Sequence, residues 1–310
     1  MFGLDRLRAL DALARHGTVA SAAASLHLTP SGVSQKLGVL EREAGLALTE
    51  PAGRGLRLTP AGRALAAHAA GILEQVALAR AELDRLADDV VGPLRIAAIP
   101  TTLHALAPRA LARLTAEHPG LHVSLTDGEA EETLPAVVAG DLDLALVESW
   151  DGSPAPRPAG TRRTVLRDDV VDLALPASHP SAGGDPDQPV DLAGIGDIAW
   201  VADRVGTRTH DWLVDTLRGV DVEPRVTCTV CGFWIHVELV AGAGVAALVP
   251  RLARPPAPPG VVYRRTRPAL GRTIDAVWRR DRETPAVRAA LAVLGHVAAD
   301  DSALRATPDG

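Results

Sequence analysis

One stretch near the N-terminus, residues 16–62, constrains the fold of this chain more than any other. Thr18 is a suitable N-cap for a short helix over 19–26, whose alanines let another helix pack closely against it. Thr29-Pro30 then begins a second helix, because threonine caps free N–H groups and proline suits the first helical position. That helix ends before Gly45. Two helices joined by so tight a turn predict a helix-turn-helix.

The second of these helices has an apolar face and a polar face. Val33, Leu37 and Leu40 recur at helical spacing and are expected to pack inward. Polar side chains near the helix start are left facing outward, which is where a recognition helix meets base edges and phosphates. The predicted DNA-binding residues are Thr29, Ser31, Ser34, Gln35 and Lys36 at this helix start, together with Arg54 and Arg57 in the segment after the helix. For Lys36, the only lysine in the sequence, a solvated surface position is the alternative.

A long helix is predicted after the helix-turn-helix. Thr59-Pro60 repeats the cap-and-proline start, and no proline follows before Pro93, so a helix is expected over about 60–88. Its length would be roughly 40 Å at 1.5 Å per residue. Its apolar residues follow a heptad pattern: Leu65, Ala69, Ile72, Val76, Ala79, Leu83 and Leu86. So narrow a stripe favours pairing with a second copy of the chain over burial within its own domain.

At these residues the chain resembles the LysR-type transcriptional regulators. The shared segments are Leu-Thr-Pro-Ser-Gly-Val-Ser-Gln at 28–35, Leu-Glu-Arg-Glu-Ala-Gly at 40–45 and Arg-Leu-Thr-Pro-Ala-Gly at 57–62. The resemblance implies a winged helix-turn-helix, a linker helix that pairs with its dimer mate, and a two-lobed effector domain similar to type II periplasmic binding proteins. The family usually has Leu-Phe-x-Arg in the first wing strand. Here Leu-Thr-Glu-Pro at 48–51 lacks that aromatic anchor and that basic DNA contact.

From residue 94 onward, short β-rich segments alternate with helical ones, which predicts a βαβ-type parallel sheet. In the first block, strands are expected over 94–99, 121–126 and 142–147, with helices over 104–116 and 131–139. In the second block, strands are expected over 170–175, 198–201, 225–230 and 245–249, with helices over 208–218 and 234–241. Strands over 261–265 and 273–278 and a helix over 285–299 are expected to return to the first lobe.

These patterns together predict an α/β protein built from three parts and a tail. We expect a winged helix-turn-helix domain over 1–59, a linker helix and hinge over 60–91, and a two-lobed effector-binding domain over 92–299. Lobe 1 would comprise about 92–165 and 262–299, and lobe 2 about 166–261. A tail at 300–310 completes the expected organisation.

Composition agrees with this organisation. The chain has 310 residues and 47% hydrophobic content, enough for two or three domains with full cores. A net charge of −6 argues against a protein that simply coats nucleic acid, so local charge must decide DNA binding. The sequence has no apolar stretch long enough for a bilayer, and its first residues lack a signal-peptide pattern. We therefore expect a cytoplasmic protein with no membrane partner, and two cysteines fit a reducing compartment.

The sequence contains no motif whose residues and spacing match a catalytic, cofactor-binding or metal-binding site. The segment Gly242-Ala243-Gly244 follows a helix and precedes a strand, the reverse of a dinucleotide-binding loop. His118 and His122 are separated by Pro119-Gly120, which prevents the shared helical face that a metal site needs. The sequence has no nucleophile elbow, Walker loop or zinc-protease pattern. We expect no enzymatic activity, no cofactor and no bound metal.

A ligand cleft can be located by topology. In open α/β lobes, ligands collect beyond the carboxyl ends of the strands, where helix N-termini offer free N–H groups. This rule and the family resemblance predict the effector-binding residues Thr101, Thr102, Glu148, Trp150, Thr207, Thr209, Cys231 and Phe233. Hydroxyls, a carboxylate and aromatic rings in one cleft suit a small polar metabolite.

The favoured prediction is a DNA-binding transcriptional regulator that binds a double-stranded operator as a homodimer or homotetramer and responds to a small-molecule effector. One alternative is a small-molecule binding protein whose N-terminal segment is only an interaction module. Another is a redox-responsive regulator that uses Cys228 and Cys231, which form a C-x-x-C pair. Against the redox alternative stands the simpler interpretation of two reduced thiols, with Cys231 facing the cleft.

Overall fold

The computed structural model describes residues 2–26, 28–52, 55–87, 90–185 and 188–300, with the side chains of 77, 78 and 80–87 excepted. The chain divides into two compact units, residues 1–87 and residues 88–310. Of the predicted tail, residues 300–310, only residue 300 is among the described residues. Each unit has its own hydrophobic core.

The N-terminal unit is a winged helix-turn-helix followed by a long helix. Its elements are α1 (Leu4–His16), α2 (Val19–Ser25), α3 (Pro30–Ala44), β1 (Thr49–Ala52), β2 (Gly55–Leu58) and α4 (Pro60–Ala87). The side chains of Thr18 and Thr29 accept hydrogen bonds from backbone N–H groups of α2 and α3, as the capping signals predict. Gly45 ends α3 in the left-handed conformation.

The core of this unit joins all three short helices to the base of α4. Leucines of α1 pack against Val33, Leu37 and Leu40 of α3, which are buried as the spacing predicts. Gly62 of α4 lies so close to the wing base that a Cβ there would stand 2.0 Å from the carbonyl oxygen of Leu48. Only glycine permits this approach, so the start of α4 is fixed against the wing.

The C-terminal unit alternates strands and helices. Its first part contains β3 (Gly92–Ala98), α5 (Pro100–Ala105), α6 (Ala107–Glu117), β4 (Leu121–Asp127), α7 (Ala130–Ala139), β5 (Leu144–Trp150) and β6 (Thr161–Pro176). Its second part contains β7 (Val190–Asp191), β8 (Ala199–Ala202), α8 (Arg208–Arg218), β9 (Arg225–Thr229), α9 (Phe233–Ala243) and β10 (Ala247–Pro250). The last part contains β11 (Val261–Arg264), β12 (Thr266–Arg267), β13 (Leu270–Arg279) and α10 (Pro285–Ala299).

One predicted helix is wrong in its bounds. The pattern over 104–116 predicts a single helix, whereas the structure has α5 and α6 with a break at Leu106. Pro108 lies in the first turn of α6, where its ring and missing N–H prevent α5 from continuing into α6.

The main sheet runs through both lobes in the order β10-β6-β13-β5-β3-β4, with β11 also paired to β6. Strand β3 is parallel to β4 and β5, as predicted, whereas β13 is antiparallel to both β5 and β6. Lobe 1 surrounds a core from β3, β5, β13, α6 and α10. Lobe 2 surrounds cores built from the end of β6, β8, β10, α8 and α9. Strands β6 and β13 therefore cross between the lobes.

The structure corrects the lobe to which one strand belongs. The segment 261–265 is expected to return to lobe 1, but β11 pairs with residues 173–176 of β6 and buries Val261 in a lobe 2 core. The return is made by β13, whose first residue Leu270 packs in lobe 2 and whose Trp278 packs in lobe 1. The pairing of β13 along most of β6 makes this later crossing necessary.

In the described part of the chain, no helix is both long enough and apolar enough to span a membrane.

Candidate DNA-binding surface and effector cleft

The start of α3 presents a polar surface to solvent. Thr29, Ser31, Ser34 and Gln35 are all exposed, while Val33 between them is buried. The Thr29 hydroxyl accepts a hydrogen bond from the Gly32 N–H at 3.1 Å and lies 3.0 Å from the Ser31 hydroxyl. The first turns of α3 are thus capped and rigid, with the predicted base-contacting side chains on the outer side.

Lys36 lies on a different flank of α3. Its side chain is partly covered, and Nζ stands 2.5 Å from Oδ2 of Asp5 in the first turn of α1. The hydrogen bond from Lys36 and its positive charge hold the pKa of Asp5 below its usual range. Asp5 is a residue that sequence reasoning missed, because its partner lies 31 positions away. That Lys36 contacts DNA stays a prediction.

The wing carries a second ion pair of the same kind. Arg57 on β2 is exposed, and its Nε donates to Oε1 of Glu50 at 2.8 Å. The two residues are directly opposite each other in the β1–β2 hairpin. Arg54, the other predicted wing contact, lies outside the described residues.

The heptad stripe of α4 divides into two parts. Ala69 is buried and Leu65 half-buried against the core of the N-terminal unit. Further along, Ile72 is 41% exposed and Val76 is 37% exposed. Ala79 is exposed too, and the side chains of Leu83 and Leu86 are not among those that the structure describes. An apolar stripe therefore continues on α4 beyond the part that its own core covers.

In the C-terminal unit, several predicted effector residues meet around one arginine. Arg272 of β13 is fully buried, and its Nη1 donates to Oε2 of Glu148. Its Nε donates to Asp169 of β6 at 3.0 Å. The other carboxylate oxygen of Glu148 accepts from Trp150 Nε1 and from the Thr209 hydroxyl, each at 2.8 Å. The network joins β5, β6, β13 and α8, and the Trp150–Glu148 hydrogen bond lies within β5.

Aromatic rings enclose the Arg272 guanidinium. Its carbon lies 5.1 Å from the ring centroid of Trp150 and 5.7 Å from that of Phe233, within the range of cation–π contacts. Trp150 stacks on Trp212 of α8 with centroids 4.1 Å apart. Four predicted residues, Glu148, Trp150, Thr209 and Phe233, are thus brought together. Sequence reasoning missed Arg272 and Asp169: Arg272 precedes the strand expected over 273–278, and β13 holds other charged residues, so no local signal distinguishes it.

The remaining predicted effector residues stand at the ends of neighbouring elements. Thr101 and Thr102 are buried in α5, directly after β3, and the Thr102 hydroxyl has no hydrogen-bond partner among the described residues. Thr207 caps α8 by accepting from the His210 N–H at 3.2 Å. Cys231 is exposed in the loop before α9, beside Asp203 and Arg204.

A further carboxylate that sequence reasoning missed stands beside this network. Burial, reinforced by the nearby negative charges of Glu148 and Asp203, raises the pKa of Glu129 to about 7. Glu129 precedes α7 in lobe 1, and its side chain does not cap that helix. A fraction of Glu129 is therefore protonated at neutral pH, so the charge of this region changes in the physiological range.

Side chains of lobe 2 contact lobe 1 at several points. Thr209 of α8 reaches Glu148, and its neighbour Arg208 donates to Glu131 at 2.8 Å and to the Pro154 carbonyl at 3.2 Å. On the other side, the rings of His104 in α5 and Trp234 in α9 meet edge to face at 5.9 Å. These contacts connect the N-termini of α8 and α9 to lobe 1.

The two cysteines are free thiols. Burial and the neighbouring Asp203 raise the pKa of Cys231, which disfavours the thiolate that oxidants and metals require. Within the described residues, no group of three or more His, Cys, Asp or Glu side chains is arranged to hold a metal ion.

Comparisons with known proteins agree with both units. The family described as "Bacterial regulatory helix-turn-helix protein, lysR family" matches residues 4–63, and the "LysR substrate binding domain" matches residues 87–299.

A "Probable hydrogen peroxide-inducible genes activator" from Mycobacterium xenopi is 36% identical over 180 residues, 58% of this chain and 93% of that protein. The "HTH-type transcriptional activator IlvY" of Salmonella typhimurium is 29% identical, over 85% of this chain and 84% of that protein. A full-length OxyR variant from Pseudomonas aeruginosa has the same fold, with a TM-score of 0.66 and 23% identity over 96% of this chain and 97% of that chain. The chain therefore belongs to the LysR family of helix-turn-helix transcriptional regulators.

Proposed function

We propose that this regulator binds its operator through the exposed start of α3 and through the wing, that α4 pairs two copies, and that a small polar metabolite binds near Arg272. Ligand binding would shift the balance between lobe arrangements and so change how paired N-terminal units meet DNA. Within this proposal the protein acts in the cytoplasm and catalyses no reaction. The winged domain is assigned to 1–59 and the linker and hinge to 60–91.

The observation that carries the DNA-binding proposal is the exposed polar start of α3. Ser31, Ser34 and Gln35 have no role in the core, which is made by the opposite face of the helix. Side chains of this type contact base edges and phosphates when the N-terminal part of a recognition helix enters the major groove.

We expect the double substitution Ile72→Asp and Val76→Asp to weaken self-association and operator binding together. Both side chains are exposed, so the charges do not disturb the core of the N-terminal unit, yet they would disrupt an apolar helix pair. Sedimentation velocity at micromolar concentration measures the oligomeric state. Glu74→Gln and Gln75→Glu on neighbouring exposed positions provide a control that preserves the stripe. A monomeric wild type, or a double variant that stays dimeric, would contradict the pairing by α4.

The effector proposal rests on where the Arg272 network lies. Arg272 and Asp169 belong to the two crossing strands, Glu148 to lobe 1 and Thr209 to lobe 2. A ligand that displaces or reinforces any of these contacts acts on both lobes and on the strands between them. Hydroxyl, carboxylate and aromatic groups recognise a polar molecule that has an apolar or ring portion.

The substitution Thr102→Val is expected to abolish ligand stabilisation without unfolding the protein. The side chain is fully buried and its hydroxyl bonds to no described residue, so valine, of nearly the same shape, removes only a hydrogen-bonding group that the described residues leave unused. The measurement is a thermal-shift screen of a library of polar metabolites against wild type and variant. Thr115→Val, at an exposed position of α6, is the matched control. If every stabilising metabolite also stabilises the Thr102 variant equally, Thr102 is not part of the site.

A redox-responsive regulator is the second candidate, favoured by the C-x-x-C pair and by the similarity to a mycobacterial protein named as a probable hydrogen peroxide-inducible genes activator. The raised pKa of Cys231 counts against it. The two candidates differ in outcome, because peroxide would change operator binding by the wild type only under the redox hypothesis. That response would then be lost in both Cys228→Ser and Cys231→Ser.

A further inference from the structure

Both predicted DNA-contacting cations that the structure describes are held by carboxylates of the same unit. Lys36 is bound by Asp5 at 2.5 Å and Arg57 by Glu50 at 2.8 Å. The side chains of Asp5 and Glu50 are 54% and 43% exposed. Exposed ion pairs of this kind contribute little to folding, so stability alone does not account for these two carboxylates.

The geometry of each pair is fixed by its surroundings. Arg6, next to Asp5, makes a two-bond contact with Glu43 of α3 at 2.9 and 3.1 Å, which ties the first turn of α1 to α3. This contact keeps Asp5 within reach of Lys36. Glu50 and Arg57 are cross-strand neighbours in the wing, so the hairpin itself keeps them together. The hydrogen bond from Lys36 also lowers the pKa of Asp5, which therefore stays ionised at neutral pH.

A carboxylate that is paired with a lysine or arginine side chain competes directly with a DNA phosphate for that positive charge. Each phosphate that a protein cation neutralises releases condensed counterions, and this term supplies nearly all sequence-independent affinity. Lys36 and Arg42 are the two cations of α3, so the pairing of Lys36 with Asp5 neutralises half of the positive charge that this helix carries. Base contacts by Ser34 and Gln35 are unaffected, because these residues lie on the outer side.

We propose that Asp5 and Glu50 set the DNA affinity of this regulator by holding Lys36 and Arg57 back from phosphates, which lowers sequence-independent binding relative to operator binding. This inference rests on the proposed function, in which the N-terminal unit binds DNA. It assigns to Asp5 and Glu50 a positioning role exerted through the two cations.

The test measures binding to a 30-base-pair duplex of random sequence by fluorescence anisotropy, from about 50 to 200 mM salt. Full-length wild type is compared with Asp5→Asn and Glu50→Gln. Each variant is expected to bind roughly three- to tenfold more tightly at the lowest salt, with a slope of log affinity against log salt that is steeper by up to about one unit. The combination of Asp5→Asn with Lys36→Met should show no gain over Lys36→Met alone.

Glu74→Gln is the control, since it removes an exposed carboxylate of the same unit, on α4, and leaves both the Lys36–Asp5 and the Arg57–Glu50 pair in place. An equal gain for Glu74→Gln would show that net charge, rather than these pairs, sets the affinity, and would overturn the proposal. The proposal is also overturned if the wild type binds the duplex and both Asp5→Asn and Glu50→Gln bind it with the same affinity and the same salt dependence. Glu50→Gln gives an independent result should Asp5→Asn fail to fold. If neither wild type nor variants bind any DNA, the proposed function fails along with this inference.

Discussion

Replacement of Ser34, Gln35 and Lys36 together by alanine is expected to abolish specific operator binding while the fold stays intact. Each good contact to a base edge is worth about 1–3 kcal/mol of discrimination, so loss of two such contacts predicts specific binding that is weaker by at least roughly thirtyfold. The measurement is nuclease protection and anisotropy on an operator recovered from genomic DNA.

The fold should survive this change because Ser34 and Gln35 are exposed and the contact of Lys36 is an exposed ion pair. A matched control replaces three exposed polar residues of β4, His122, Ser124 and Thr126, by alanine in the other unit. The control should bind the operator like the wild type. Protection of the same operator at unchanged affinity by the α3 variant would contradict the assignment of α3 as the recognition helix.

The substitution Arg272→Met is expected to cause the largest loss of stability in the C-terminal unit. It leaves Glu148 and Asp169 buried without their cation, and removal of one partner from a buried pair costs about 3–5 kcal/mol. Burial already raises the pKa of Asp169 against the opposing effect of Arg272. Without Arg272 that pKa rises further, so the variant should lose stability progressively as pH increases from the unfolded-state pKa of an aspartate through the raised folded-state pKa.

Urea unfolding followed by tryptophan fluorescence measures this loss specifically, because all five tryptophans, Trp150, Trp200, Trp212, Trp234 and Trp278, lie in the C-terminal unit. Arg225→Met is the control, since Arg225 forms an exposed pair with Asp197 at 3.3 Å and should change the free energy of unfolding by less than about 1 kcal/mol. Equal unfolding curves for the two variants would show that the network around Arg272 does not support the unit.

Local signals in the sequence were sufficient for many of the helices. The bounds of α3, α8 and α10 agree with the predictions because each begins with a threonine cap, and two of the three have proline at the first turn. Capping and helical spacing act within a few residues. They are therefore visible without any knowledge of tertiary contacts.

The features that sequence reasoning missed depend on contacts between distant segments. Arg272 meets Glu148 across 124 positions and Asp169 across 103, and only the crossing of β6 and β13 brings them together. The placement of β11 in lobe 2 likewise depends on strand pairing, which no local pattern specifies. The same holds for Lys36, whose exposed position on α3 was predicted from helical spacing but whose partner Asp5 comes from α1.

Genome-wide mapping of bound sites is the most direct test of the central claim, that α3 of a paired regulator recognises a specific operator. The wild type and the variant with alanine at Ser34, Gln35 and Lys36 are compared at equal abundance in the native host. We predict discrete wild-type sites that share an imperfect inverted repeat, since two copies related by a two-fold axis require two half-sites, and we predict that the variant loses them. Wild-type binding without any enriched sequence, or the same sites retained by the variant, would contradict the claim.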